Sequence, residues 1–135
     1  MEKVMLDSSV WISLFVQDIF TRKAEKIYAY VRDNGDLILV PNVVYAEVIN
    51  NINKADKTGF LLAQVKNIFH EDKKVRLISG DDGFWYSRFE EYTKKVRLKT
   101  IDLLIIAFLF EFEATKFYSF DKRLNKCYKF LKKNL

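Results

Sequence analysis

Short apolar runs alternate along the whole chain with segments whose apolar residues recur every three or four positions, and this alternation restricts the fold more than any other feature. Lys3–Leu6, Leu37–Val40, Val75–Ile78 and Phe117–Phe120 each have strand length. Helical spacing falls between them: Val10–Val16, then Ala24, Ile27, Tyr28 and Val31, then Val44, Val48 and Ile52 on one stripe. Phe60–Phe69 and Phe84–Lys95 read as further helices, with Asn34-Gly35-Asp36 and Ser79-Gly80-Asp81-Asp82-Gly83 as turns. Pro41 and Asn42 stop the second strand and can open a helix. Thr100 is placed to cap Ile101–Glu113, whose stretch from Leu103 to Phe110 is apolar all round and therefore predicts a buried helix. Leu124, Cys127, Tyr128, Leu131 and Leu135 form the stripe of a terminal helix. Strands alternating with helices predict an α/β fold in which a parallel sheet is covered on both faces. Polar sites of such sheets gather beyond the carboxyl ends of the strands.

A chain of 135 residues with 50% apolar content, 12 Phe included, is expected to fold as one domain over 1–135 with a substantial core. Its single cysteine, Cys127, excludes an internal disulfide framework and, with no secretory leader read after Met1-Glu2-Lys3, leads to the expectation of a cytoplasmic protein. Leu103–Phe110 falls well short of the roughly 20 apolar residues that span a bilayer, so no membrane span is expected. A formal net charge of +5 favours an anionic partner without naming one, and mild basicity is also common without function.

Four acids border strongly apolar segments: Asp7 and Asp121 at the ends of predicted strands, Glu47 and Asp102 on predicted helices. Each has a structural reading. Asp7 and Asp121 also read as helix caps, and Asp102 as a first-turn acid facing the positive end of a helix dipole. Glu47 sits at the edge of an apolar stripe, with Asn50 and Asn51 as hydrogen-bonding neighbours. Should the four converge, their mutual repulsion makes a bound cation the natural occupant, and carboxylate oxygens without a His or Cys cluster point to Mg²⁺ or Mn²⁺ over zinc. His70, the only histidine, reads as an exposed helix-end residue.

The ordered segments Val4-Met5-Leu6-Asp7-Ser8-Ser9-Val10-Trp11-Ile12, Pro41-Asn42-Val43-Val44-Tyr45-Ala46-Glu47-Val48, Thr100-Ile101-Asp102-Leu103-Leu104-Ile105-Ile106-Ala107 and Tyr118-Ser119-Phe120-Asp121 together resemble the PIN-domain nucleases. The resemblance spans almost the whole chain, and in length it is most similar to the VapC toxins of toxin–antitoxin pairs. It implies a three-layer α/β/α sandwich with a central parallel sheet, and an acidic pocket that binds Mg²⁺ or Mn²⁺ and cleaves RNA to a 5′-phosphate and a 3′-hydroxyl. Asp7, Glu47, Asp102 and Asp121 match the family's acidic positions, while Ser9 and Ser119 match its small polar positions beside the first and last acids. An antitoxin protein and a second copy of the chain are the partners implied. Many relatives carry Asn at the place of Ser9, and some add an acid where this chain has Lys122 and Arg123, which leaves one or two metals open.

Lys94, Lys95, Arg97 and Lys99 precede Asp102 and suit the backbone of RNA, or simply a solvated loop. Lys122, Lys126, Lys129 and Lys133 read as the solvent side of the last helix. Trp11, Phe15, Trp85 and Tyr86 read as core, with a dimer or antitoxin surface as the alternative. A housekeeping RNA-processing nuclease and a non-catalytic PIN-like RNA-binding module are the competing functions. A phosphatase or phosphoacceptor domain is disfavoured, because Asp7-Ser8-Ser9 lacks a second acid two residues on.

Overall fold

The computed structural model of the chain describes residues 1–134; Leu135, assigned by sequence to the last apolar stripe, lies outside the described residues. Four strands, β1 (Lys3–Leu6), β2 (Leu37–Pro41), β3 (Val75–Ile78) and β4 (Lys116–Tyr118), form one sheet in the order β3-β2-β1-β4. Every pairing is parallel, with Lys3 opposite Leu37, Ile38 opposite Val75, and Val4 opposite Lys116. Central β1 buries Val4, Met5 and Leu6 completely, as a strand covered on both faces must. The edge strands are marked differently: β3 exposes Arg76 and Leu77 between buried Val75 and Ile78, and β4 is half-buried throughout.

Seven α-helices complete the α/β/α sandwich among the described residues: α1 (Ser8–Phe15), α2 (Thr21–Asp33), α3 (Asn42–Ala55), α4 (Phe60–Glu71), α5 (Phe89–Lys95), α6 (Thr100–Glu111) and α7 (Lys122–Asn134). None of them is long and apolar enough to cross a membrane. Helix α6 buries every residue from Leu103 to Leu109, the outcome expected of its all-round apolar stretch. Thr100 does not cap it. Lys99 takes the N-cap place with extended backbone, its carbonyl accepting from the Leu103 N–H at 2.9 Å, and Thr100 is the first helical residue. The helix also stops earlier than Glu113. Glu113 adopts φ 56°, and the Ala114 and Glu113 N–H groups close on the carbonyls of Leu109 and Phe110, a Schellman ending built without glycine.

Two further boundaries differ from the sequence reading. Predicted helix Phe84–Lys95 opens with a π-helical turn, Phe84–Arg88, in which buried Phe84 stacks on Phe108 of α6 at 5.2 Å. Arg88 ties that turn to Asp81 and Glu111 at 3.1 and 2.7 Å. Strand β4 ends at Tyr118 and not at Phe120, because Ser119 and Phe120 leave the ladder to bond with the start of α1.

The four aromatics read as core divide. Trp11 is fully buried and meets Tyr28 and Phe69 edge to face, at 5.9 and 4.8 Å between centroids, so that α1, α2 and α4 share one aromatic contact. Phe15 packs partly buried against the core. Trp85 and Tyr86 are 41% and 84% exposed, which removes Tyr86 from the core altogether. The π-helical start turns these two outward while Phe84 anchors the turn.

The topology places the site. From β1 the chain builds β2 and β3 on one side, then crosses to add β4 on the other, so the switch point falls between the carboxyl ends of β1 and β4. There the Asp7 N–H donates to the Tyr118 carbonyl at 2.9 Å. Trp11→Ala should lower the unfolding free energy by about 3–5 kcal/mol in urea titration, whereas Tyr86→Ala should change it by no more than about 0.5 kcal/mol. A small effect at Trp11 would contradict its place at the junction of three helices.

Candidate functional site

Asp7 is the residue around which the switch point is built. Only 5% exposed, it follows β1 directly and N-caps α1. Its Oδ1 accepts from the Ser8 N–H at 2.8 Å, and its Oδ2 accepts from the Ser9 and Ser119 hydroxyls at 3.1 and 2.7 Å. A buried carboxylate is tolerable only with such donors. Both hydroxyls act twice: Ser9 Oγ accepts from the Phe120 N–H at 3.2 Å, and Ser119 Oγ from the Asp121 N–H at 3.0 Å. Two serines thus join the β1–α1 corner to the β4–α7 corner through one carboxylate.

The other acids arrive from three helices. Asp121 N-caps α7, its Oδ1 accepting from the N–H groups of Arg123 and Leu124 at 2.9 and 3.1 Å. Asp102 stands in the first turn of α6, half-buried. Glu47 is half-buried on α3, and its Oε1 accepts from the Ser8 hydroxyl at 3.2 Å. Of the two neighbours read beside Glu47, Asn51 does hydrogen-bond to it, its side chain donating to the Glu47 backbone carbonyl at 2.8 Å. The carboxylate's partner is Ser8, a residue that only the three-dimensional closure of α1 on α3 could reveal.

Two of the four acids, Glu47 and Asp102, are shifted by their surroundings. Burial pushes the Glu47 carboxyl above the usual carboxylate range; the Ser8 hydrogen bond opposes this, and the charges of Asp7 and Asp102 reinforce it. Asp102 is raised in the same way, first by burial, then by Asp121 and Asp7, while Lys99 and Arg123 pull it back. Glu47 and Asp102 therefore each feel two of the other acids.

Carboxylate oxygens suit a hard cation such as Mg²⁺ or Mn²⁺. The free oxygens agree: Glu47 Oε2, Asp121 Oδ2 and both oxygens of Asp102 accept no protein hydrogen bond among the described residues. As they stand, no three His, Cys, Asp or Glu side chains among the described residues are close enough to cage a metal ion. The site has the donors for a cation and the charge to attract one, without a closed shell.

Of the basic residues ahead of Asp102, Lys99 is near enough to act on its carboxyl. Lys94 is weakly paired with Glu90 at 3.7 Å, and Lys95 and Arg97 are exposed. Arg123 also reaches the field of Asp102; its place two residues after Asp121 was a signal that counted in the sequence only as the lack of an acid. Lys122, Lys126, Lys129 and Lys133 are all exposed, as the solvent side of α7 requires. His70 is exposed in the last turn of α4, with its Nε2 3.1 Å from the Tyr45 hydroxyl.

A parallel α/β/α sandwich with acids beyond the carboxyl ends of β1 and β4 defines a class, and this chain belongs to it: the PIN-domain family, whose model matches residues 4–129. Among solved structures it is similar to the VapC20 toxin of Mycobacterium tuberculosis, described as cleaving the sarcin–ricin loop. The two align with a TM-score of 0.73 at 16% identity, over 92% of this chain and 94% of that one. No curated protein matches the chain by sequence.

Because Glu47 and Asp102 hold their protons more firmly folded than unfolded, their ionisation costs stability. The cost is absent below the unfolded carboxylate range, near about pH 4, and grows as pH rises through the folded values. In EDTA at pH 7, Glu47→Gln and Asp102→Asn should each raise Tm, and the gain should vanish on acidification. An unchanged or lower Tm at pH 7 would show that burial and the neighbouring acids do not raise these two carboxyls.

Proposed function

We propose that residues 1–135 form a single metal-dependent endoribonuclease domain, acting in the cytoplasm as the toxin of a toxin–antitoxin pair. The observation that carries this reading is that Glu47 and Asp102 lie within reach of the charges of Asp7 and Asp121 at the switch point of a PIN fold, Glu47 near Asp7 and Asp102 near both. The four are the ligands proposed for Mg²⁺ or Mn²⁺. When bound, the cation supplies Lewis-acid charge to the phosphodiester in its transition state and eases ionisation of the attacking water.

The chain's own residues do the rest. Ser9 and Ser119 hold Asp7 Oδ2 in one orientation, and the Ser8 hydroxyl steadies Glu47. Lys99 and Arg123 offset the acidic field on the Asp102 side, where the phosphate of an RNA backbone has to approach. Lys94, Lys95 and Arg97 extend that basic approach along the exposed end of α5 and the segment after it.

The toxin role draws on the structural likeness to VapC20, a toxin whose described action is cleavage of the sarcin–ricin loop. An antitoxin and a second copy of the chain are the protein partners of this reading, and exposed Trp85 and Tyr86 offer aromatic surface suited to such contacts.

Cleavage of structured and single-stranded RNA by wild type, Asp7→Asn, Asp102→Asn and Ser119→Ala, in Mg²⁺, Mn²⁺ or EDTA, tests the chemistry. Expected are losses of about 10²-fold or more for the two acid variants and about 10- to 100-fold for Ser119→Ala, with no activity in EDTA. Equal cleavage by all four proteins, or cleavage indifferent to EDTA, would overturn the mechanism.

A further inference from the structure

Beside the acids lies a pair of stacked aromatic rings. The connection from α1 to α2 is fixed by Asp18: its Oδ2 accepts from the Ser13 hydroxyl at 2.8 Å, its Oδ1 from the Phe20 N–H at 2.8 Å, and its own N–H donates to Thr21 Oγ1 at 2.9 Å. This lock holds Ile19 and Phe20 outward, 90% and 40% exposed. Phe20 stacks on Phe120, with ring centroids 4.8 Å apart and planes 17° from parallel. Phe120 stands between Ser119 and Asp121, and its N–H is the one bonded to Ser9. The ring pair is therefore joined directly to the clasp around Asp7.

Two cavities flank Phe120 and differ in character. One, of about 450 Å³, is lined by Ile12, Phe20 and Phe120 with Ser9, Asp18 and Asp121. Its lining is mostly apolar and includes the carboxylates of Asp18 and Asp121, so it suits a flat, uncharged ring better than a phosphate. The other, of about 260 Å³, is bordered by Phe120 with Lys23 and Lys129. Lys23 Nζ lies 5.7 Å from the Phe120 ring centroid, and neither lysine makes an ion pair among the described residues. That side is suited to a phosphate.

We propose that Phe20 and Phe120 form a stacking subsite for one unpaired base of the RNA next to the cleaved bond, with Lys23 and Lys129 holding the adjoining backbone. Exposed aromatic faces bind bases in this way because every base presents a π-face, and an unpaired nucleotide alone can offer it. The subsite rests on the ribonuclease reading and adds to it a substrate contact outside the acids. It also gives Phe20 a reason to be exposed.

The test measures affinity in EDTA, where no cleavage is expected, between a short fluorescent single-stranded RNA and wild type, Phe20→Ala, Phe20→Tyr or Lys23→Ala. A parallel set of RNAs carries one abasic nucleotide, moved along the strand. Phe20→Ala should weaken binding by about 5- to 150-fold, Phe20→Tyr should retain it, and Lys23→Ala should weaken it with a shallower salt dependence. At one position the abasic nucleotide should weaken wild-type binding by a similar factor and add little to the Phe20→Ala loss. Unchanged affinity in Phe20→Ala, or an abasic penalty that the substitution never reduces, overturns the subsite. With cleavage of RNA by wild type intact, that result leaves the ribonuclease reading standing. Wild type that neither binds nor cleaves RNA overturns both. A Phe20→Ala chain that keeps its RNA affinity but loses a bound protein assigns the surface to that protein and overturns the subsite as well.

Discussion

One buried carboxylate organises the functional end of this molecule. Asp7 sits at the end of the central strand, almost without solvent, and its charge is tolerable there because the Ser8 amide and the hydroxyls of Ser9 and Ser119 supply donors. The two hydroxyls bring with them the backbone of Phe120 and Asp121, so the corner after β4 is held against the corner after β1. Without Asp7, two hydroxyls and an amide would lose their acceptor at the point where the sheet's connectivity reverses. Both corners then have less to keep them together.

Around that point the structure accepts repulsion. Glu47 and Asp102 are half-buried and each lies in the field of two other acids, which folding alone does not favour. Helix geometry softens the cost: Asp7 and Asp121 cap α1 and α7, and Asp102 lies in the first turn of α6, so three helix amino ends direct positive potential toward the cluster. Capping and site-building are therefore the same placement. A carboxylate at a helix start beyond a strand end satisfies local backbone and faces the switch point of the sheet.

Much of this was legible in the sequence because strand ends and helix starts are local events. Leu6 followed by Asp7-Ser8-Ser9 announces both, and the run Leu103–Phe110 announces a central helix. What escaped depends on contacts distant in sequence or on chain direction beyond one turn. The Ser8–Glu47 bond spans two helices, and β4 is shortened because Ser119 and Phe120 are drawn to residues more than a hundred positions earlier. Thr100 has the chemistry of a cap, yet Lys99 takes the N-cap place and Thr100 is already helical. Trp85 and Tyr86 share a composition with core residues, and only the π-helical start at Phe84 turns them to solvent. Family membership was legible for the opposite reason: the four acids lie in four local segments whose order survives without knowledge of any contact.

The central claim is that Asp7, Glu47, Asp102 and Asp121 together hold a divalent cation. Anomalous diffraction from crystals of the wild-type protein grown with Mn²⁺ addresses it most directly, since Mn²⁺ accepts the same oxygen ligands as Mg²⁺ and its position is seen without reference to activity. The expected result is an anomalous peak bounded by these four carboxylates and lost in Asp7→Asn crystals. A saturated crystal with no peak between them, or with its Mn²⁺ held elsewhere, would contradict it.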